Sequence, residues 1–143
     1  MAKPEETPDF LEFVWIWNHL QGQPTPAPHR RIARWLQGRW EAGDHRLLLM
    51  AFRGCGKSTM VGLFCAWRLL REPDTRILVL AADQALAVKM VAQVRRILER
   101  HPLCAARRSR LSAVINGLAQ APCSCSYFVL FASPSQHGRY SAT

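Results

Sequence analysis

The chain has 143 residues, of which 49% are hydrophobic, and a formal net charge of +9. This length limits it to one domain at most, and the apolar fraction is that of a globular rather than a disordered protein. The positive charge favours an anionic partner, most often a nucleic acid. No apolar run approaches the ~18 residues of a membrane-spanning helix, and the acidic N-terminus does not fit a signal peptide, so we expect a cytoplasmic protein that is not associated with a membrane.

The five cysteines favour a reducing compartment over a disulfide framework. Their number is odd, and Cys123 and Cys125 have a C-x-C spacing rather than the C-x-x-C spacing of zinc sites. We therefore predict reduced thiols and no metal held by cysteine.

The first 40 residues predict two helices separated by a rigid turn. Phe10–Leu20 follows a capping residue, Asp9, and is apolar over most of its circumference, so we expect burial on more than one side. Three prolines and one glycine within Gln21–Pro28 end this helix. A second helical pattern covers His29–Trp40.

The most informative stretch of the chain lies between residues 47 and 70. Leu47–Phe52 is a continuous apolar run, typical of a strand that is buried on both faces. The loop that follows consists of Arg53, Gly54, Cys55, Gly56, Lys57, Ser58 and Thr59. Ser58–Leu70 then has the apolar spacing of a helix. A strand, a glycine-rich loop and a helix in this order are the layout of a phosphate-binding P-loop.

Each part of this loop has a predicted role in holding a nucleotide. The glycines let the backbone turn tightly, so that the N–H groups of residues 54–57 face phosphate oxygens. The Lys57 ammonium is expected to reach the β- and γ-phosphates, and the Ser58 hydroxyl to bind Mg²⁺ between them. Thr59 is expected near the α-phosphate. The alternative is an ordinary glycine-rich turn with a solvated lysine.

The loop departs from the pattern G-x-x-x-x-G-K-[ST] at its first position, where Ala51 replaces glycine. With Arg53 inside the loop, residues 51–59 resemble the deviant Walker A motif of the large terminase subunit of tailed bacteriophages. The resemblance extends, less specifically, from about Asp9 to about Cys104. It implies an α/β fold, namely a partial P-loop NTPase of three layers around a parallel sheet, preceded by the aromatic N-terminal helix.

The terminase resemblance also implies cofactors and site residues. ATP and Mg²⁺ are the implied cofactors, Lys57 and Arg53 are candidate catalytic residues, and Ser58 is the candidate metal ligand. Arg53 would sense the γ-phosphate from within its own subunit, or else form a salt bridge with a neighbouring acid. In such ATPases a Gln before the first strand recognises adenine. His29 lies near that position, so it is either an adenine contact or simply a residue at a helix start.

A second strand and a basic helix follow the loop and its helix. Arg76–Ala82 is the strand, and Gln84–Arg100 is an amphipathic helix that Asp83 would cap. The stretch from Leu47 to Ala82 therefore predicts a βαβ unit with a right-handed crossover. The basic side of the last helix is a solvated face or a DNA contact.

The end of the chain has a different composition. All 10 acidic residues lie before position 100. Leu111–Leu118 predicts a short helix, and Tyr127–Ala132 predicts a strand without the carboxylates that hold Mg²⁺ and orient water in a working P-loop ATPase. We therefore divide the chain into 1–104, the N-terminal part of a terminase-like ATPase domain, and 105–143, an atypical basic tail that is frameshifted or disordered. Nothing supplies the nuclease domain of complete terminases, and whether the chain is an enzyme stays open.

The leading hypothesis is an ATP-binding fragment of a DNA-packaging terminase large subunit. By resemblance, the complete protein would translocate duplex DNA in the host cytoplasm, with the portal, the small terminase subunit and further copies of itself as partners. One alternative is a basic remnant that binds nucleotide or nucleic acid without hydrolysis. Another is a small P-loop kinase.

Overall fold

The computed structural model describes residues 8–44, 46–80, 83–120 and 127–130, and these are largely helical. In chain order the elements are α1 (Phe10–Leu20), α2 (Ala27–Glu41), α3 (Lys57–Arg71), β1 (Ile77–Leu80), α4 (Gln84–Arg100), α5 (Pro102–Ala105), α6 (Arg108–Gln120) and β2 (Tyr127–Leu130). Within the described ranges, no helix is both long and apolar enough to cross a membrane.

The helices pack around α3, which contacts α1, α2 and α4. Trp67 of α3 is fully buried and joins three helices at one point. Its ring meets Phe10 of α1 at 5.4 Å and the edge of Trp40 of α2 at 5.4 Å, and its indole N–H donates to the Pro8 carbonyl at 2.8 Å. This hydrogen bond satisfies the polar N–H of the Trp67 indole, while the rest of the ring is buried against apolar side chains.

A buried histidine connects the end of α4 to α1. His101 is fully buried, and its ring stacks on that of Phe13 with 3.7 Å between centroids. Its Nε2 donates to the Phe13 carbonyl at 3.0 Å, and its Nδ1 accepts from the Leu103 N–H at 3.2 Å. Burial lowers the pKa of His101 from its ordinary value near 6.5, so the ring is neutral with the proton on Nε2.

The predicted parallel sheet is wrong. The strands among the described residues are β1 and β2, and they pair antiparallel in the register Ile77 with Leu130 through Leu80 with Tyr127. Residues 47–52 form no strand, and the side chains of Leu48 and Met50 are 78% and 81% exposed. The α/β three-layer fold class and the βαβ unit are therefore replaced by a helical arrangement around α3.

The reason for this error is that residues 47–52 have no partner strand among the described residues. An apolar run is stable as a buried strand only when neighbouring strands satisfy its backbone groups and other elements cover its faces. In the structure β1 pairs with β2, and the carbonyls of Ala51 and Phe52 accept hydrogen bonds from the Lys57 side chain. The composition of the run indicates a strand, but it cannot indicate whether another strand is present beside it.

The individual elements agree better with the sequence than their arrangement does. α1 and α4 have the predicted bounds, α3 begins one residue early, and α2 begins at Ala27 with a proline in its first turn. Asp83 caps α4 as expected, because its side chain accepts from the Leu86 N–H at 2.8 Å. β1 and β2 lie inside predicted strands whose last residues, 81–82 and 131–132, are outside the described ranges. The division at 104–105 stays a prediction.

Candidate functional site

The glycine-rich loop forms a compact turn that leads directly into α3. Gly54 and Gly56 have φ angles of 87° and 79°, in the left-handed region that favours glycine. The Cys55 N–H donates to the Phe52 carbonyl at 3.4 Å, and Gly56 is the N-cap of α3. The loop therefore turns tightly at both glycines, and residues 47–52 before it form no strand.

The Lys57 side chain turns back over the loop from which it comes. Its Nζ donates to the carbonyls of Ala51 and Phe52, at 2.7 Å each, and lies 4.0 Å from the Cys55 Sγ. These acceptors are neutral, whereas hydrogen bonds between an ammonium and an anionic oxygen are roughly twice as strong as neutral ones. A phosphate group at the loop would therefore compete favourably for the ammonium.

The first turn of α3 offers unpaired backbone donors. The Met60 N–H makes the first helical bond, to the Gly56 carbonyl at 2.9 Å. The N–H groups of the residues just before it have no acceptor within the helix, and no side chain caps this end. The positive end of the helix dipole lies at the same place, so backbone and lysine together present positive charge at one end of α3.

The other predicted loop residues lie at the surface. Arg53 and Ser58 are exposed, and Thr59 is half-buried. The ion pairs found among the described residues do not include Arg53. The role of Arg53 at a γ-phosphate and that of Ser58 at Mg²⁺ stay predictions.

His29 contacts the backbone of the loop. Its Nε2 lies 2.9 Å from the Cys55 carbonyl oxygen, and a Cβ built on Gly56 would lie 2.7 Å from the same Nε2. Its Nδ1 is buried and has no hydrogen-bond partner among the described residues. The adenine role stays a prediction. No local pattern in the sequence indicates the contact with the loop, since it joins residues 26 positions apart.

An apolar cavity lies between α2 and the segment before the loop. Its volume is about 420 Å³, within the range of about 300–1,000 Å³ that ligand pockets occupy. Arg31, Ile32, Trp35, Leu48, Leu49 and Met50 line it. Sequence reasoning missed this cavity, because it treated the apolar run as the interior of a sheet.

The cysteines and carboxylates contribute no metal centre to the part of the chain that the structure describes. No group of three or more His, Cys, Asp or Glu side chains there could hold a metal ion. Cys55, Cys65 and Cys104 are free thiols, as predicted, whereas Cys123 and Cys125 lie outside the described residues. Burial raises the pKa of Cys65 to about 11 and that of Cys104 to about 12, so both stay protonated at neutral pH.

A bent glycine loop, its lysine and the free start of a helix are features of P-loop ATPase-like proteins, and comparison with known proteins supports this class. Residues 48–141 match the family model of the RNA cytidine acetyltransferase NAT10/TcmA helicase domain. The match covers more than half of the chain, and the chain therefore belongs to this family.

The chain is also similar to a viral protein. The large terminase subunit of Enterobacteria phage T3 is 30% identical to it over 80 residues, which are 55% of this chain and 13% of the relative. The chain thus corresponds to a small part of that relative's length. No solved structure matches. The two similarities support a P-loop ATPase-like family and a nucleotide-related function, but they do not single out the terminases.

Proposed function

We propose that this chain binds Mg·ATP through residues 51–59, as the nucleotide-binding part of a nucleic-acid-directed ATPase. The observation that carries the proposal is the position of Lys57, whose ammonium lies over a loop with two left-handed glycines at the uncapped start of α3. Positive charge and free N–H groups at one place are what a triphosphate requires.

The loop residues fit a bound triphosphate as follows. The backbone N–H groups at the start of α3 would bind phosphate oxygens, and Lys57 would exchange its two carbonyl partners for the β- and γ-phosphates. The open space around Gly54, where an added Cβ would meet nothing within 4 Å, leaves room for a ligand against the backbone. Ser58 would hold Mg²⁺, which supplies charge neutralisation between the same phosphates.

The nucleic-acid part of the proposal rests on charge and on similarity. The net charge is +9, and Arg30, Arg31 and Arg34 are exposed on α2. The matched family model is that of a helicase domain, and the similar viral protein is a terminase subunit. The narrower hypothesis, DNA packaging with duplex DNA, the portal and the small subunit in a host cytoplasm, follows the terminase similarity alone.

Binding without hydrolysis is the second candidate. No acidic residue follows Glu99, and Asp83 is engaged in capping α4. A working ATPase needs a carboxylate to hold Mg²⁺ and another to orient the attacking water. Phosphate release from ATP, measured with and without added DNA or RNA, distinguishes the two candidates. If release occurs, Arg53 and Lys57 are the proposed catalytic residues. No observation favours a small-molecule kinase.

Replacing Lys57 tests the binding proposal. We expect Lys57→Ala to weaken Mg·ATP binding by about 10- to 150-fold, because a charge-assisted contact contributes roughly 1.5–3 kcal/mol. Isothermal titration calorimetry measures the affinity. Lys89→Ala is the matched control, since it removes the same charge from an exposed position on α4. Equal affinities of Lys57→Ala and the unmodified chain would contradict the proposal.

A further inference from the structure

The contact between His29 and Cys55 shows which nitrogen of the His29 ring donates a hydrogen bond. A carbonyl oxygen can only accept a hydrogen bond, so the Nε2 at 2.9 Å must carry the proton. The remaining nitrogen, Nδ1, is buried without a partner among the described residues. The described polar contact of the ring is therefore the one that it makes with the loop.

This contact also fixes the direction of the next backbone N–H. The peptide bond between Cys55 and Gly56 is trans, and in a trans peptide the C=O and N–H groups point in opposite directions. When the Cys55 carbonyl faces His29, the Gly56 N–H faces away from α2. We propose that His29 is a positioning residue, which holds this peptide so that the Gly56 N–H is directed to the phosphate-binding side of the loop.

Gly56 is the residue that permits this arrangement. Its φ of 79° is strained for other residues, and a Cβ would lie 2.7 Å from Nε2 and 3.2 Å from Cε1 of His29. The imidazole thus occupies the space that a side chain at position 56 would need. The absence of a Cβ allows α2 to approach the loop closely enough for the hydrogen bond.

The proposal rests on the proposed binding of a triphosphate and makes it more specific. Because His29 acts through the backbone of the loop, it contributes to the binding of the phosphate groups, and this contribution does not depend on the nucleotide base. Removing the His29 side chain should therefore lower the affinities for ATP, GTP and inorganic tripolyphosphate by the same factor. A residue that recognises adenine would instead affect ATP and leave tripolyphosphate unchanged.

The test compares three variants by titration with Mg²⁺ and each of the three phosphate compounds. We expect His29→Ala to weaken all three by about tenfold, the value of one net hydrogen bond. His29→Gln keeps an N–H donor of similar reach and should restore affinity to within about threefold on the same scale. His19→Ala, which removes an exposed histidine from α1, should change nothing. Circular dichroism confirms that each variant is folded.

Two results would overturn the positioning role. One is unchanged affinity of His29→Ala for all three compounds, and the other is a loss confined to ATP. Failure of the proposed function is a different result, in which the unmodified chain binds none of the compounds. In that case ¹⁵N NMR of His29 still decides the contact, because a proton on Nε2 with coupling to the Cys55 carbonyl supports it and a ring that carries a proton on Nδ1 alone excludes it.

Discussion

Two regions of this molecule each contain a histidine whose Nε2 donates to a backbone carbonyl, and the surroundings of the two contacts differ. In the helical body, His101 connects α4 to the Phe13 carbonyl of α1 at 3.0 Å. At the loop, His29 connects α2 to the Cys55 carbonyl at 2.9 Å. Both of the ring nitrogens of His101 are satisfied in a fully buried site, whereas His29 is half-buried and only its Nε2 has a hydrogen-bond partner among the described residues.

The surroundings of the two contacts explain what each can do. His101 stacks on Phe13 and lies parallel to Trp17 within the apolar core, so its bond is one of many contacts that stabilise the fold. The segment before the loop exposes Leu48, Met50 and Phe52 and depends on a few polar contacts. Regions with little apolar burial open at low free energy and are where ligand-binding loops are found. The His101 hydrogen bond therefore contributes to the stability of the helical body. The His29 hydrogen bond, which is of the same kind, is proposed to orient one peptide of the loop.

The sharpest test of this comparison removes each histidine in turn. We expect His101→Ala to lower the free energy of unfolding by about 2–4 kcal/mol, because it leaves a cavity in the core and removes two hydrogen bonds between the ring and the backbone. His29→Ala should cost less than about 1 kcal/mol, since its loss affects a local contact. Urea denaturation followed by circular dichroism measures both. Equal losses would show that the two regions are not distinct.

The pH dependence of stability provides a second test, with a smaller effect. Burial lowers the pKa of His101 below its ordinary value near 6.5, so the unfolded chain takes up a proton at higher pH than the folded chain. The free energy of unfolding should therefore be greatest above pH 6.5 and should fall as the pH drops through 6.5 toward the lower folded pKa. The slope is at most about 1.4 kcal/mol per pH unit.

Urea denaturation at pH 7.5 and at pH 5.5 measures this effect. His101→Gln removes the titrating group, and we expect the loss of stability between the two pH values to shrink by about 1 kcal/mol in this variant. The unmodified chain, measured at the same two pH values, is the reference. An unaltered pH dependence in His101→Gln would exclude this residue as the source.

The comparison also shows which features the sequence could predict. Helical spacing and caps are local, so α1, α4 and the Asp83 cap follow from the residues themselves. The bend at Gly54 and Gly56 is local too, because it depends on backbone freedom. The contacts of His29 with Cys55 and of His101 with Phe13 join residues 26 and 88 positions apart, and no spacing rule reaches that far.

The predicted fold class was wrong for a related reason. A strand is defined by its partners, and the apolar run 47–52 carries no information about them. The pairing of Ile77 with Leu130 depends on a segment more than 50 positions away, which the sequence predicted as a strand without indicating its neighbour. The Lys57 ammonium contacts the carbonyls of residues only five and six positions away, and its role at a phosphate stays a prediction.

The smallest expected effect tests the correction to the fold within a single segment. Met50 is 81% exposed, whereas the adjacent Leu49 is half-buried and packs against the core. We expect Met50→Lys to change the free energy of unfolding by less than about 0.5 kcal/mol, as for other exposed positions. Leu49→Lys should cost at least about 1 kcal/mol, because it removes apolar contact and places an ammonium against the core. In a strand that is buried on both faces, the two substitutions would lower the free energy of unfolding to a similar degree. Urea denaturation measures both: a large decrease for Met50→Lys would contradict the exposed segment, and a small decrease would support it.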